Sequence, residues 1–97
     1  MTKAELTREI AQKTGLDHDT VLAVIEQMML SIKDSIIEGD PVFLRGFGTF
    51  GIKQRAEKTA RNIKAEKSII IPAHNIPIFK PCPEFKNAMA PELKIKD

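Results

Sequence analysis

Apolar residues recur with one spacing before residue 40 and another after it. In the first forty residues the spacing is helical. Leu6, Ile10 and Ala11 fall on one side of a first helix. Thr2, with Glu5 three residues on, forms a capping box that starts it, and Gly15 is a natural residue to end it. Asp17 caps a second, longer helix expected to run to about Glu38 and stop at Gly39. At about 100° per residue, Val21, Leu22, Val24, Ile25, Met28, Met29, Ile32 and Ile36 share one arc of about 160°. Such a stripe is wider than one neighbouring helix needs. It suits burial against the first helix and a second body at once.

From Asp40-Pro41 the pattern becomes that of strands. Val42 to Arg45 reads as a strand, Gly46-Phe47-Gly48 as a tight turn, and Thr49 to Ile52 as a second strand. Ser68 to Ile71, with three consecutive isoleucines, is strongly β-forming. Pro72 and Pro77 interrupt the next stretch, which suits an edge or bulged strand. Ile76, Ile78 and Phe79 return to the core. Pro83 can open a short helix through Met89, and the tail APELKIKD reads as frayed. The expected order is two helices, three strands and a final short helix.

Between the strands lies a stretch of another kind. Lys53 to Asn62 holds no apolar side chain larger than Ala56 or Ala60, and Lys64 to Ser68 holds none larger than Ala65. A strand pair stays on a body by burying one face, and these residues offer no such face. If 53–62 and 63–72 pair, they form a two-stranded ribbon projecting beyond the core, marginal in water on its own. The alternative is a plain loop, but long structureless loops are uncommon in compact domains. One apolar residue, Ile63, stands in the middle of this polar run.

Ninety-seven residues make one domain. A chain of this size stabilises itself with difficulty unless a disulfide, a metal or a partner contributes. Cys82 is the single cysteine, and with His18 and His74 it is too little for a tetrahedral zinc site. No cofactor is expected, and association is the device that remains. No apolar run of about 18 residues is present, and the N-terminus lacks an apolar signal region, so a cytoplasmic protein is expected. The net charge is only +2, but it is segregated. Residues 1–40 carry four cations against eight carboxylates, and residues 41–97 carry eleven against five. Within 53–67, Lys53, Arg55, Lys58, Arg61, Lys64 and Lys67 face only Glu57 and Glu66. Segregation of this kind points to one part that meets a polyanion and another that does something else.

Together these residues resemble the HU and integration host factor family of bacterial DNA-bending proteins. The likeness runs from residue 1 to about 90. It is carried by the two leading helices, Gly46-Phe47-Gly48-Thr49-Phe50, Ala60-Arg61-Asn62, Ile71-Pro72-Ala73 and Pro77-x-Phe79-Lys80-Pro81. The resemblance implies an α+β fold: two N-terminal helices, a three-stranded antiparallel sheet with a protruding two-stranded β-ribbon arm, and a short C-terminal helix, in an intertwined homodimer. Residues 1–40 would be the helical dimerisation part, 41–52 and 73–81 the sheet body, 53–72 the DNA-binding arm, and 82–97 the C-terminal helix and tail. The family is a known example of minor-groove binding with apolar wedges between base steps. Its arm tip usually reads Arg-Asn-Pro; here Ile63 stands in place of the proline. Glu66 stands in place of the tip glycine, and Cys82 where glycine is usual.

The implied function is non-catalytic: binding and bending of double-stranded DNA in the nucleoid, with low sequence specificity and a preference for bent, nicked or gapped forms. Arg61, with Asn62 beside it, would enter the minor groove, and Ile63 would be the wedge. Lys53, Arg55, Lys58, Lys64 and Lys67 would neutralise phosphates along the arm. Lys3, Thr49, Lys80 and Lys86 match positions or faces that reach flanking phosphates. Gly46 and Gly48 admit backbone N–H groups to a phosphate, serve a turn needing positive φ, or do both. Phe47, Phe50 and Phe79 read as dimer core, and with no aromatic in the arm, single-strand stacking is poorly supplied. His74 reads as a surface loop residue. Two other functions fit the sequence: a site-specific architectural factor of the integration host factor type, and a dimeric module that grips another acidic partner. No P-loop, HExxH motif or nucleophile elbow is present, so no enzyme is expected.

Overall fold

A computed structural model of the protein describes residues 1–62 and 67–96, with the backbone alone at 60–62 and 67. Helix α1 spans Lys3–Thr14 and α2 spans His18–Ile37. Both begin as the sequence indicates: the Thr2 hydroxyl accepts from the Glu5 amide, and the Asp17 carboxylate from the Thr20 amide. Gly15 closes α1 at φ +73° with its amide on the Ala11 carbonyl. The end of α2 is a Schellman motif, in which the Gly39 amide bonds Ile36 and the Asp40 amide bonds Ser35. Gly39 supplies the positive φ, +85°, that this motif requires. The Ser35 hydroxyl donates to the Asp40 carbonyl and ties the helix end to the chain that leaves it.

Strands β1 (Val42–Leu44), β2 (Gly48–Arg55) and β5 (His74–Pro81) form one antiparallel sheet in the order β1-β2-β5. Strands β3 (Lys58–Asn62) and β4 (Lys67–Ile71) form a separate antiparallel pair. Helix α3, Pro83–Asn87, has proline at its start and ends two residues before the expected Met89. The Glu84 carboxyl in its first turn is held below the usual carboxylate range by its own backbone amide and by the Cys82 thiol. Strand β1 stops at Leu44 rather than Arg45, because the Phe47 amide returns to the Leu44 carbonyl and closes the turn.

The anticipated pairing of 53–62 with 63–72 does not occur in that form. Lys53, Gln54 and Arg55 stay in the body ladder, opposite Ile76, Asn75 and His74. The separate ribbon begins only at Lys58 opposite Ile71. Pro77 is accommodated as expected for an edge strand: it lies within β5, opposite Ile52, on the outermost strand of its sheet.

Very little of the described chain is enclosed. Val21 is the one apolar side chain that is buried, and Thr7 the one polar one. Thr7, not Leu6, is the innermost residue of α1; its hydroxyl donates to the Lys3 carbonyl and so tolerates burial. The stripe on α2 is largely open, with Val24 63 % exposed. Between the C-terminal half of α2 and the sheet lies an apolar cavity of about 800 Å³, lined among others by Met29, Ile32, Ile36, Phe50 and Ile52. The Cα radius of gyration is 18.8 Å, against about 12.5 Å for a closed domain of this length.

Candidate nucleic-acid interface

Alternation along a strand puts every second side chain on one face, and antiparallel partners share a face. Val42, Leu44, Phe50 and Phe79 therefore look toward the helices. Phe50 packs against Phe79 in a tilted arrangement with ring centroids 4.8 Å apart, and Phe79 against Phe47, also tilted, at 5.1 Å. Phe85 of α3 joins the cluster against Phe47 at 5.6 Å. Gly48 is buried beneath it, where a Cβ would fall 2.5 Å from the Lys80 carbonyl oxygen and 2.6 Å from the Phe79 ring. Its role is close approach; the positive φ of the turn belongs to Gly46, at +83°.

The opposite face carries Phe43, Thr49, Gly51, Lys53 and Arg55, the last four opposite Lys80, Ile78, Ile76 and His74 in turn. No Asp or Glu occurs in any of the three strands. The face is thus cationic with an apolar middle. Phe43 is 75 % exposed on it. Sequence reading missed this residue: Val-Phe-Leu is apolar at every position, so nothing in it shows which side chain points outward.

The body ladder and the ribbon keep a single register. Extending the β2–β5 pairing three residues past Arg55↔His74 brings Lys58 opposite Ile71, where β3–β4 begins. The break consists of Ala56-Glu57 against Pro72-Ala73, with no residue inserted. Pro72 has no N–H to give the ladder, which makes this a natural place for the pairing to lapse. His74 stands at this joint as the first residue of β5 and not in a loop; its Nδ1 lies 2.9 Å from the Pro72 carbonyl oxygen. A hollow of about 490 Å³ sits beside it, lined by Gln54, Arg55, Ala56, Ala73, His74 and Asn75.

Among the expected contact residues, Lys53, Arg55 and Lys58 are exposed along this continuous hairpin. Arg61, Asn62 and Lys67 have their backbones in β3 and β4. Ile63 and Lys64, with Glu66, lie outside the described residues. Thr49 and Lys80 meet across β2 and β5, Gly46 and Gly48 flank the turn that opens β2, and Lys86 is exposed on α3. Lys3 stands apart on α1, where its ammonium lies 3.1 Å from the Glu26 carboxylate. The ion pairs among the described residues are Lys3–Glu26, Lys13–Glu9 and His18–Asp19, and none involves the sheet or the ribbon. Ile69, Ile70 and Ile71 of β4 are between 37 % and 63 % exposed, so neither face of β4 is buried at these residues. No described helix is long and apolar enough to cross a membrane.

Comparison with known proteins places this geometry. The family model for bacterial DNA-binding proteins matches residues 1–90. The chain is 40 % identical over 89 residues to the DNA-binding protein HU-alpha of Escherichia coli, covering 92 % of this chain and 99 % of that protein. It is 36 % identical over 87 residues to the DNA-binding protein HU of Clostridium pasteurianum, covering 90 % and 96 %. Among solved structures, it is similar to an Anabaena HU–DNA cocrystal structure at TM-score 0.88 and 32 % identity, covering 94 % of this chain and 99 % of that one.

Proposed function

The chain belongs to the family of bacterial DNA-binding proteins that includes HU, and from that premise we propose that it works as a homodimer that bends double-stranded DNA with two β-ribbon arms. The observation that carries the dimer is the open protomer. Interiors of folded proteins are close-packed, and a chain that buries one apolar side chain among the described residues while holding an apolar cavity of about 800 Å³ needs a second surface to complete it. The wide stripe of α2 and the aromatic cluster supply matching faces for a second copy.

The arms carry the DNA reading. Lys53, Arg55, Lys58, Lys64 and Lys67 neutralise phosphates, Arg61 and Asn62 enter the minor groove, and Ile63 wedges between base pairs at a cost of a few kcal/mol for unstacking. Lys80, Thr49 and the Gly46–Gly48 turn contact the backbone near the body, and Lys86 and Lys3 reach flanking phosphates, Lys3 after leaving Glu26. Minor-groove edges distinguish little beyond A·T from G·C, so specificity is low. Bent, nicked or gapped DNA binds better because part of the deformation is already made. The reading implies no catalysis and a location in the nucleoid.

A salt titration of duplex binding tests it. If about half of the arm cations of a dimer meet phosphates, log K falls with log salt at a slope of roughly −5. A slope near zero rejects the mechanism.

A further inference from the structure

We propose that Phe43 is an aromatic contact for exposed bases on the outer face of the sheet, and that it sets a preference for gapped DNA. The proposal rests on the DNA-binding reading above and adds a residue to it.

Phe43 is 75 % exposed and takes no part in the cluster of Phe47, Phe50, Phe79 and Phe85. It points away from the cavity beside α2, so completing the dimer on that side leaves it uncovered. Its cross-strand partner is Thr49, whose partner in turn is Lys80. Lys53 and Arg55 continue the same face toward the ribbon, and the three strands hold no carboxylate. A surface of this charge repels a second copy of itself and attracts a polyanion. An aromatic ring on a sheet face whose strands carry cations and no carboxylate is the pairing that single-stranded nucleic acid uses: phosphates on the charges, a base on the ring. An intact duplex hides its base faces in the stack, whereas a gap presents them.

The test is fluorescence anisotropy of the full chain on one duplex, intact and with a short single-stranded gap, at one salt concentration. Wild type is compared with Phe43→Ala and Phe43→Gln. Phe43 packs on no other ring, so both variants are expected to keep the wild-type unfolding midpoint, and the glutamine variant serves if alanine disturbs the strand. Both should lose about tenfold in affinity for the gapped duplex, the contribution of one stacked base, with little change on the intact one. A gapped-to-intact ratio within about twofold of wild type overturns the role. Wild type that binds neither duplex overturns the DNA reading itself. If the substitutions instead dissolve assemblies larger than a dimer, Phe43 serves a second copy and the proposal fails.

Discussion

Gly48 and Gly51 lie three residues apart in one strand and have opposite reasons to be glycine. At Gly48 the Lys80 carbonyl and the Phe79 ring occupy the space a methyl group would need. At Gly51 the nearest atom to such a methyl is Ile78 Cγ1 at 3.8 Å, an ordinary contact. Gly48→Ala should therefore cost about 1–3 kcal/mol through forced displacement of the ring and strand. Gly51→Ala should be neutral or slightly stabilising, because it restricts the unfolded chain. Urea unfolding of the two variants checks the contrast; equal effects would contradict the packing described. The sequence shows both glycines in a strand and turn region. It does not show that Phe79, 31 residues downstream of Gly48, comes to rest on it, since the β2–β5 register alone brings the two together.

At the scale of elements, the proposed function rests on the hairpin from β2 to β5. Its body half is anchored by Phe50, Ile52 and Phe79, while Ile69, Ile70 and Ile71 of its ribbon half are exposed. The two halves share a register across a joint at Ala56-Glu57 and Pro72-Ala73. Lys58→Ala removes one cation from each arm and should flatten the salt dependence of duplex binding by up to about 2. Ile63→Ala leaves the charge intact; a FRET bending assay should show a smaller bend with nearly unchanged non-specific affinity, and an unchanged bend would reject the wedge. Much of this element was legible, because a run of ten residues without a large apolar side chain has nothing to bury. The joint was placed too early, since Lys53–Arg55 look like the rest of the basic run and only their partners Ile76, Asn75 and His74 tie them to the body.

For the molecule as a whole, the proposed dimer makes folding and association one event. A protomer with a single buried apolar side chain among the described residues gains too little from burial to offset the entropy of ordering the chain. The unfolding temperature should depend on concentration, falling by roughly 3–5 °C for each tenfold dilution of a dimer. Calorimetry over two decades of concentration checks it, and a constant midpoint would indicate a monomer stable by itself. The segregation of charge fits this division of labour: the acidic first forty residues hold most of the open apolar stripe, and the basic remainder holds the arm.

Periodicity and punctuation in the sequence determined the helices, their caps at Thr2, Asp17, Gly15 and Gly39, and the existence of a cationic hairpin, because those depend on residues within a few positions of one another. Cross-strand pairing decided the rest. It buried Gly48 under Phe79, turned Phe43 outward from an apolar triplet, moved the root of the arm from Ile52 to Arg55, and left the protomer open on the side of α2. Each of these depends on which distant segment lies opposite, and no local pattern in the chain carries that information.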